Sequence, residues 1–223
     1  MTEKNPLLKA FPITDTIKEP RQIQTDSLNW IWETLPNYKK IALCLPTGSG
    51  KSAIGMSIMN NTKSLGMKSL YCSPLNTLVV QLQDSFKDVT TLRGRKHYPC
   101  LSGRQSCATG FCQDDVCAKK RPIRNCKDCD VSCQCPQCIY RKAFRAFKDS
   151  DIGNTNFTTF LLGINNNPDL IIVDEADSVE DFIRLHFTLT LEGHLNANWE
   201  NTLEELKTRA DYLRTMLMED DEK

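Results

Sequence analysis

The stretch Leu45-Pro46-Thr47-Gly48-Ser49-Gly50-Lys51-Ser52 decides how the chain reads, because two glycines bracket a serine just before a lysine and a hydroxyl residue. Glycine tolerates the left-handed backbone that a loop needs to turn its N–H groups inward around an anion. On its N-terminal side stands a short apolar run, residues 41–45, which reads as a core strand. On its C-terminal side, residues 52–60 read as a helix. Strand, glycine turn and helix in this order make a phosphate cradle. The helix N-terminus adds its dipole, Lys51 neutralises the outer phosphates, and the Ser52 hydroxyl is suited to Mg2+. Thr47, Gly48, Ser49, Gly50, Lys51 and Ser52 are therefore the candidate contacts to ATP.

A second element supplies the acids that such chemistry requires. Leu170-Ile171-Ile172-Val173 runs into Asp174-Glu175-Ala176-Asp177, which places two carboxylates at the carboxyl end of a buried strand, where open parallel sheets bind their ligands. Phosphoryl transfer needs one group to hold the metal and another to position the attacking water. Asp174 takes the first role and Glu175 the second, with Lys51 completing the catalytic set.

Between and around these motifs, strand and helix patterns alternate. Residues 27–35 read as a helix, with Thr25 or Asp26 as its cap. Residues 69–73 read as a strand, 76–86 as a helix, 151–156 as a strand and 157–162 as a helical turn. Residues 1–20, with three prolines, read as an extended arm. Near the end, Leu203, Leu206, Ala210, Leu213 and Leu217 fall on one face of a helix over residues 198–218. This alternation predicts an α/β fold built on a parallel sheet covered on both faces.

At 223 residues, with 40% hydrophobic and 25% charged side chains, the chain has the composition of a globular protein and not of a disordered or fibrous one. Its N-terminus lacks the apolar run of a signal peptide and its apolar runs are too short to span a bilayer, so a cytoplasmic address without membrane contact is expected. Net charge is zero but segregated: residues 93–148 hold 13 Lys and Arg against 4 Asp, and residues 174–223 hold 14 acids against 5 bases. The basic segment suits a polyanion. It also holds nine of the eleven cysteines, between Cys100 and Cys138. An odd count without a secretory signal argues against disulfides and for metal ligation.

The order of these elements resembles the XPD/DinG family of DNA helicases over nearly the whole chain, and the glycine loop resembles that of superfamily 2 helicases, in which the first glycine of the generic pattern is replaced, here by Leu45. Arg21-x-x-Gln24 resembles the family's adenine-reading motif. Ser73-Pro-Leu-Asn-Thr-Leu-Val-Val-Gln81 resembles the segment that touches the single strand. Arg93-Gly-Arg-Lys-His-Tyr-Pro-Cys100 resembles the signature that opens an iron-sulfur domain, with His97 where the family has Asn, and Cys138-Ile-Tyr140 resembles its close, 17 residues before Thr155. The last motif is DEAD here and DEAH in most relatives.

The resemblance implies a RecA-like first motor lobe over residues 1–92 and 149–183, an iron-sulfur insertion over 93–148, and the start of a helical Arch-like domain over 184–223. Four thiolates hold a 4Fe-4S cluster. Cys100 and Cys138 are anchored by flanking motifs, and the middle pair is either Cys112 with Cys117, which is preferred, or Cys126 with Cys129. The cysteines left over, Cys133 and Cys135 among them, suit zinc together with Cys126 and Cys129, and an all-zinc insert is the alternative. Single-stranded or forked DNA is the implied partner, tracked by Arg93, Arg95, Lys119, Lys120, Arg121, Arg141, Lys142 and Arg145, with Tyr98, Phe111, Tyr140 and Phe144 as rings for bases and at least two of the four expected in packing. DNA repair is the implied setting. Nothing after Phe182 reads as a second motor lobe. ATP binding without processive unwinding is therefore expected of this chain, with a second polypeptide as one source of the missing lobe. The competing reading is a non-catalytic module that binds single-stranded nucleic acid.

Overall fold

The structure, a computed structural model, describes residues 5–99, 106–107 and 138–187. The chain divides into two compact units, residues 1–182 and 183–223, and of the second only residues 183–187 are among those described. The first unit is built on four strands: β1 (Ser69–Ser73), β2 (Thr90–Thr91), β3 (Ile152–Asn156) and β4 (Leu170–Val173). Their order is β2-β3-β1-β4 and every pairing is parallel, so the expected parallel α/β sheet is present.

Parallel neighbours require crossovers, and the helices supply them. They are α1 (Pro6–Lys9), α2 (Gln22–Thr34), α3 (Lys51–Ser64), α4 (Asn76–Ser85), α5 (Ile139–Asp149), α6 (Phe157–Leu161) and α7 (Val179–Phe187). Strand β1 is buried along its whole length, and its alternation splits the interior into two cores. Tyr71 joins Leu28, Ile54, Met56, Met59 and Ile152 on one side. Leu70 and Cys72 join Leu92, Tyr98, Tyr140, Phe147 and Phe157 on the other. Asn154 stitches the layers, its amide donating to the Val79 carbonyl of α4 at 2.8 Å and to Thr91 Oγ1 of β2 at 3.1 Å. Asn166 does the same at the other end, donating to the carbonyls of Ser69 at 3.1 Å and Ser150 at 3.0 Å.

Three expectations are corrected. Residues 41–45 are not a strand of the sheet. Burial alternates along them, with Ile41, Leu43 and Leu45 half-buried and Ala42 and Cys44 exposed, so the segment is extended and packs Leu43 and Leu45 against the first core. The outer edge of β4 has no partner among the described residues, yet the segment does not pair there, since an apolar run reports burial without choosing a ladder partner. The arm is not merely extended either. Asn5 caps α1 by accepting from the Leu7 N–H at 2.9 Å, Pro6 sits at the first helical position, and Leu7 and Phe11 enter the core. Ser57 and Asn60 of α3 then donate to the Leu7 and Ala10 carbonyls. Finally, α2 begins at Gln22, so Thr25 and Asp26 lie inside it. Its first turn is closed by the Gln24 side chain accepting from the Arg21 N–H at 2.9 Å.

The end of the basic segment forms α5, docked by the fully buried Phe147 and by Tyr140. The helix expected over 198–218 and the ligand candidates Cys100, Cys112 and Cys117, with Cys126, Cys129, Cys133 and Cys135, lie outside the described residues.

Candidate nucleotide site

The glycine loop closes onto α3 as its sequence requires. Gly48 and Gly50 take left-handed φ angles of 79° and 83°, and Gly50 is the residue from which the helix springs. The first helical turn bonds back to it, with the Ala53 and Ile54 N–H groups donating to the Gly50 carbonyl at 3.0 and 3.3 Å. A side chain at Gly48 would meet open space, whereas one at Gly50 would collide with Gln24 and with the Arg21 guanidinium. The loop is therefore open on one face and clasped by the start of α2 on the other.

That clasp has named bonds. Gln24 is 3% exposed and its amide donates to the Ser49 carbonyl at 3.1 Å, reaching toward that of Gly50 at 3.5 Å. With its oxygen held by the Arg21 N–H, the side chain is committed at both ends. These bonds fix the loop against the start of α2. Arg21 remains exposed beside the loop. Lys51 Nζ donates to the Leu45 carbonyl at 3.3 Å, a long bond easily exchanged for a phosphate oxygen. Ser49 is buried and its hydroxyl has no partner among the described residues.

A cavity of about 480 Å³ opens beside the loop, lined by Arg21, Gln24, Gly50, Ser52 and Asp174. Five residues singled out in sequence, from three separate segments, thus share one wall. Thr47, Gly48, Ser49, Lys51 and Glu175 are not part of that lining. Thr47 and Gly48 stand exposed at the loop's crest and Glu175 is exposed past the strand end. Asp174 is carried there by the ladder: its N–H donates to the Cys72 carbonyl at 2.9 Å, one step beyond the Cys72–Val173 pair. Glu175 then turns the chain with a left-handed φ of 51°, unusual for a residue with a side chain, and Ser178 Oγ braces its carbonyl at 2.7 Å.

Sequence reading missed two contributions to the cavity. One is the arm, whose Thr16 to Glu19 segment forms part of the wall. It is folded by the Thr14 N–H donating to the Ile17 carbonyl at 2.9 Å. The other is Tyr71, 2% exposed at the middle of β1 and on the same cavity wall as Ser52 and Asp174. Burial, then the Asp174 charge, push its phenol well above the ordinary value of 10. An alternating strand residue beside a phosphate loop was the only signal available for it.

A family model for the DEAD/DEAH box helicases matches residues 21–202. The chain belongs to the DEAD/DEAH box helicase family. No curated protein matches the sequence. Membership of this helicase family carries ATP-dependent, helicase-type action on nucleic acid, and the matched span includes the glycine loop, the DEAD sequence and the cavity lining apart from the Thr16 to Glu19 segment. Among the described residues, no helix is long and apolar enough to cross a membrane.

In the helicase chain's cysteine-rich segment, the described sulfurs are Cys107 and Cys138. Both are buried in the second core, and Cys107 is anchored by its N–H donating to the Tyr98 carbonyl at 2.8 Å. No group of three or more metal-ligating side chains occurs among the described residues. Tyr98 and Tyr140 pack edge to face at 5.4 Å, with Arg93 and Arg95 over their faces at 5.8 and 5.2 Å. These two rings are therefore packing residues, and Phe111 lies outside the described residues.

Proposed function

We propose that this chain is the first motor lobe of an ATP-driven DNA helicase of the XPD/DinG type, carrying a 4Fe-4S insertion. The observation that supports it best is the convergence of Arg21, Gln24, Gly50, Ser52 and Asp174 on one cavity at the N-terminus of α3. The donor set fits a nucleotide with Mg2+. A 14-residue helix points its N-terminus at the loop, Gly48 leaves room above it, and Ser49 holds an unpartnered hydroxyl below. Ser52 and Asp174 hold the metal, which supplies charge neutralisation to the phosphates. Lys51 releases the Leu45 carbonyl to reach an outer phosphate, and Glu175 positions water.

The basic insert and α5 track the DNA backbone, with Lys142 and Arg145 exposed on the helix. Cys138, buried beside Tyr98 and Tyr140, is one cluster ligand, with Cys100, Cys112 and Cys117 as the others. Hydrolysis and unwinding require a second lobe, from another polypeptide or from further chain. Its location is cytoplasmic, or nucleoid-associated or nuclear, and its setting is DNA repair.

Titration of a fluorescent ATP analogue into the 223-residue chain, with and without Mg2+, tests the nucleotide site. Lys51→Ala should abolish binding, and equal binding by the variant overturns the reading. Iron and sulfide analysis of protein purified without oxygen tests the cluster: about four of each per chain is expected for a 4Fe-4S centre. Zinc in place of iron refutes it.

A further inference from the structure

The nucleotide site contains a hydroxyl that neither the glycine loop nor the DEAD sequence supplies. Tyr71 lines the same cavity as Ser52 and Asp174, and the Asp174 charge acts on its phenol. Its place is fixed from two directions. In the β1–β4 ladder it stands opposite Ile172, two residues before Asp174. Across the layer, its ring lies against α3 at Gly55, where a methyl group would come within 2.8 Å of the ring's Cε2. Glycine at 55 is what lets the ring pass the helix and bring the phenol to the first turn. The hydroxyl therefore sits between two elements whose relative position sets the distance between Ser52 and Asp174.

We propose that Tyr71 is a positioning residue for the Mg2+ that accompanies the nucleotide. In the metal-bound site the phenol oxygen would accept a hydrogen bond from the Ser52 hydroxyl, and the phenol O–H would donate one to the Asp174 carboxylate. Ser52 is then left with its lone pairs free for a cation. Asp174 keeps one oxygen engaged and the other oriented. Outer hydrogen bonds of this kind fix the direction of metal-binding oxygens and are commonly worth a factor of ten or more in metal affinity. The proposal rests on the nucleotide reading above, since it concerns the metal that this site would take.

The test is the Mg2+ midpoint for binding a fluorescent ATP analogue to the full 223-residue chain, compared with the analogue's affinity in EDTA. Tyr71→Phe keeps the ring against Gly55 and removes only the hydroxyl. Its Mg2+ midpoint should rise about tenfold, while affinity in EDTA stays within about twofold of wild type. Gly55→Ala is the independent variant: it retains the hydroxyl, suits a helix, and pushes the ring out of line. It should raise the Mg2+ midpoint in the same direction. An unchanged midpoint in either folded variant overturns the tyrosine's role, as does an equal loss of affinity with and without Mg2+. Wild-type protein that binds the analogue no better than Lys51→Ala overturns the nucleotide reading, and this proposal with it.

Discussion

Gln24 and Gly50 depend on each other at the level of single atoms. The glutamine can lie across the loop only because Gly50 has no side chain, and the loop's backbone at Gly50 is left-handed. Gly50→Ala should lose about 1–2 kcal/mol through the backbone alone, with a further loss from displacing Gln24. A urea denaturation midpoint equal to wild type would refute that account. His97 illustrates a different residue-level effect. Burial first, then the charges of Arg93 and Lys96, hold its imidazole below the ordinary value of 6.5. Above that value the ring is neutral whether the chain is folded or not. As pH falls through it, the unfolded chain takes the proton first, and stability drains until the lower folded value is reached. His97→Asn should therefore lose less stability than wild type between neutral pH and mild acid, measured by denaturation at both. Cysteines divide in the same way: burial pushes the Cys72 thiol up to about 12, whereas Cys44 is exposed. Brief alkylation of the native chain should label Cys44 and spare Cys72, as peptide mapping would show.

Among the elements, α5 shows how one face is sorted from the other. Ile139–Asp149 turns Phe147 and Tyr140 inward to the second core and leaves Lys142 exposed. Phe147 is fully buried and touches the backbone of β3, where a side chain at Gly153 would stand 3.0 Å from its ring. Phe147→Ala should cost about 3–5 kcal/mol and loosen the whole helix, readable as a lowered thermal midpoint and faster amide exchange along α5. Lys142→Gln leaves the packing alone. If α5 tracks a single strand, this change should lower the slope of log affinity against log salt by about 0.7. An unchanged slope places the strand elsewhere.

At the scale of the molecule, the two faces of a four-stranded sheet decide what each segment does. The first face gathers the arm, α2 and α3 around the nucleotide cavity. The second gathers α5, α6 and the described cysteines Cys107 and Cys138. Tyr71 faces one and its neighbours Leu70 and Cys72 face the other, so β1 joins the two. Local rules sufficed for the glycine loop, for β1, β3 and β4 to within a residue, and for the alternation that makes the sheet parallel, because helix, strand and turn preferences act over a few neighbouring residues. Pairing is another matter. Residues 41–45 look as apolar as Leu170–Val173, yet only the latter joins the sheet, since apolar content reports burial and a ladder needs backbone register with a particular neighbour. Likewise, the sequence by itself singled out Ser52 and Asp174, which the structure brings to one cavity wall. Only the tertiary structure decided that Tyr71 shares that wall with them and that Gln24 holds the loop, because both arrangements join segments that lie far apart along the chain.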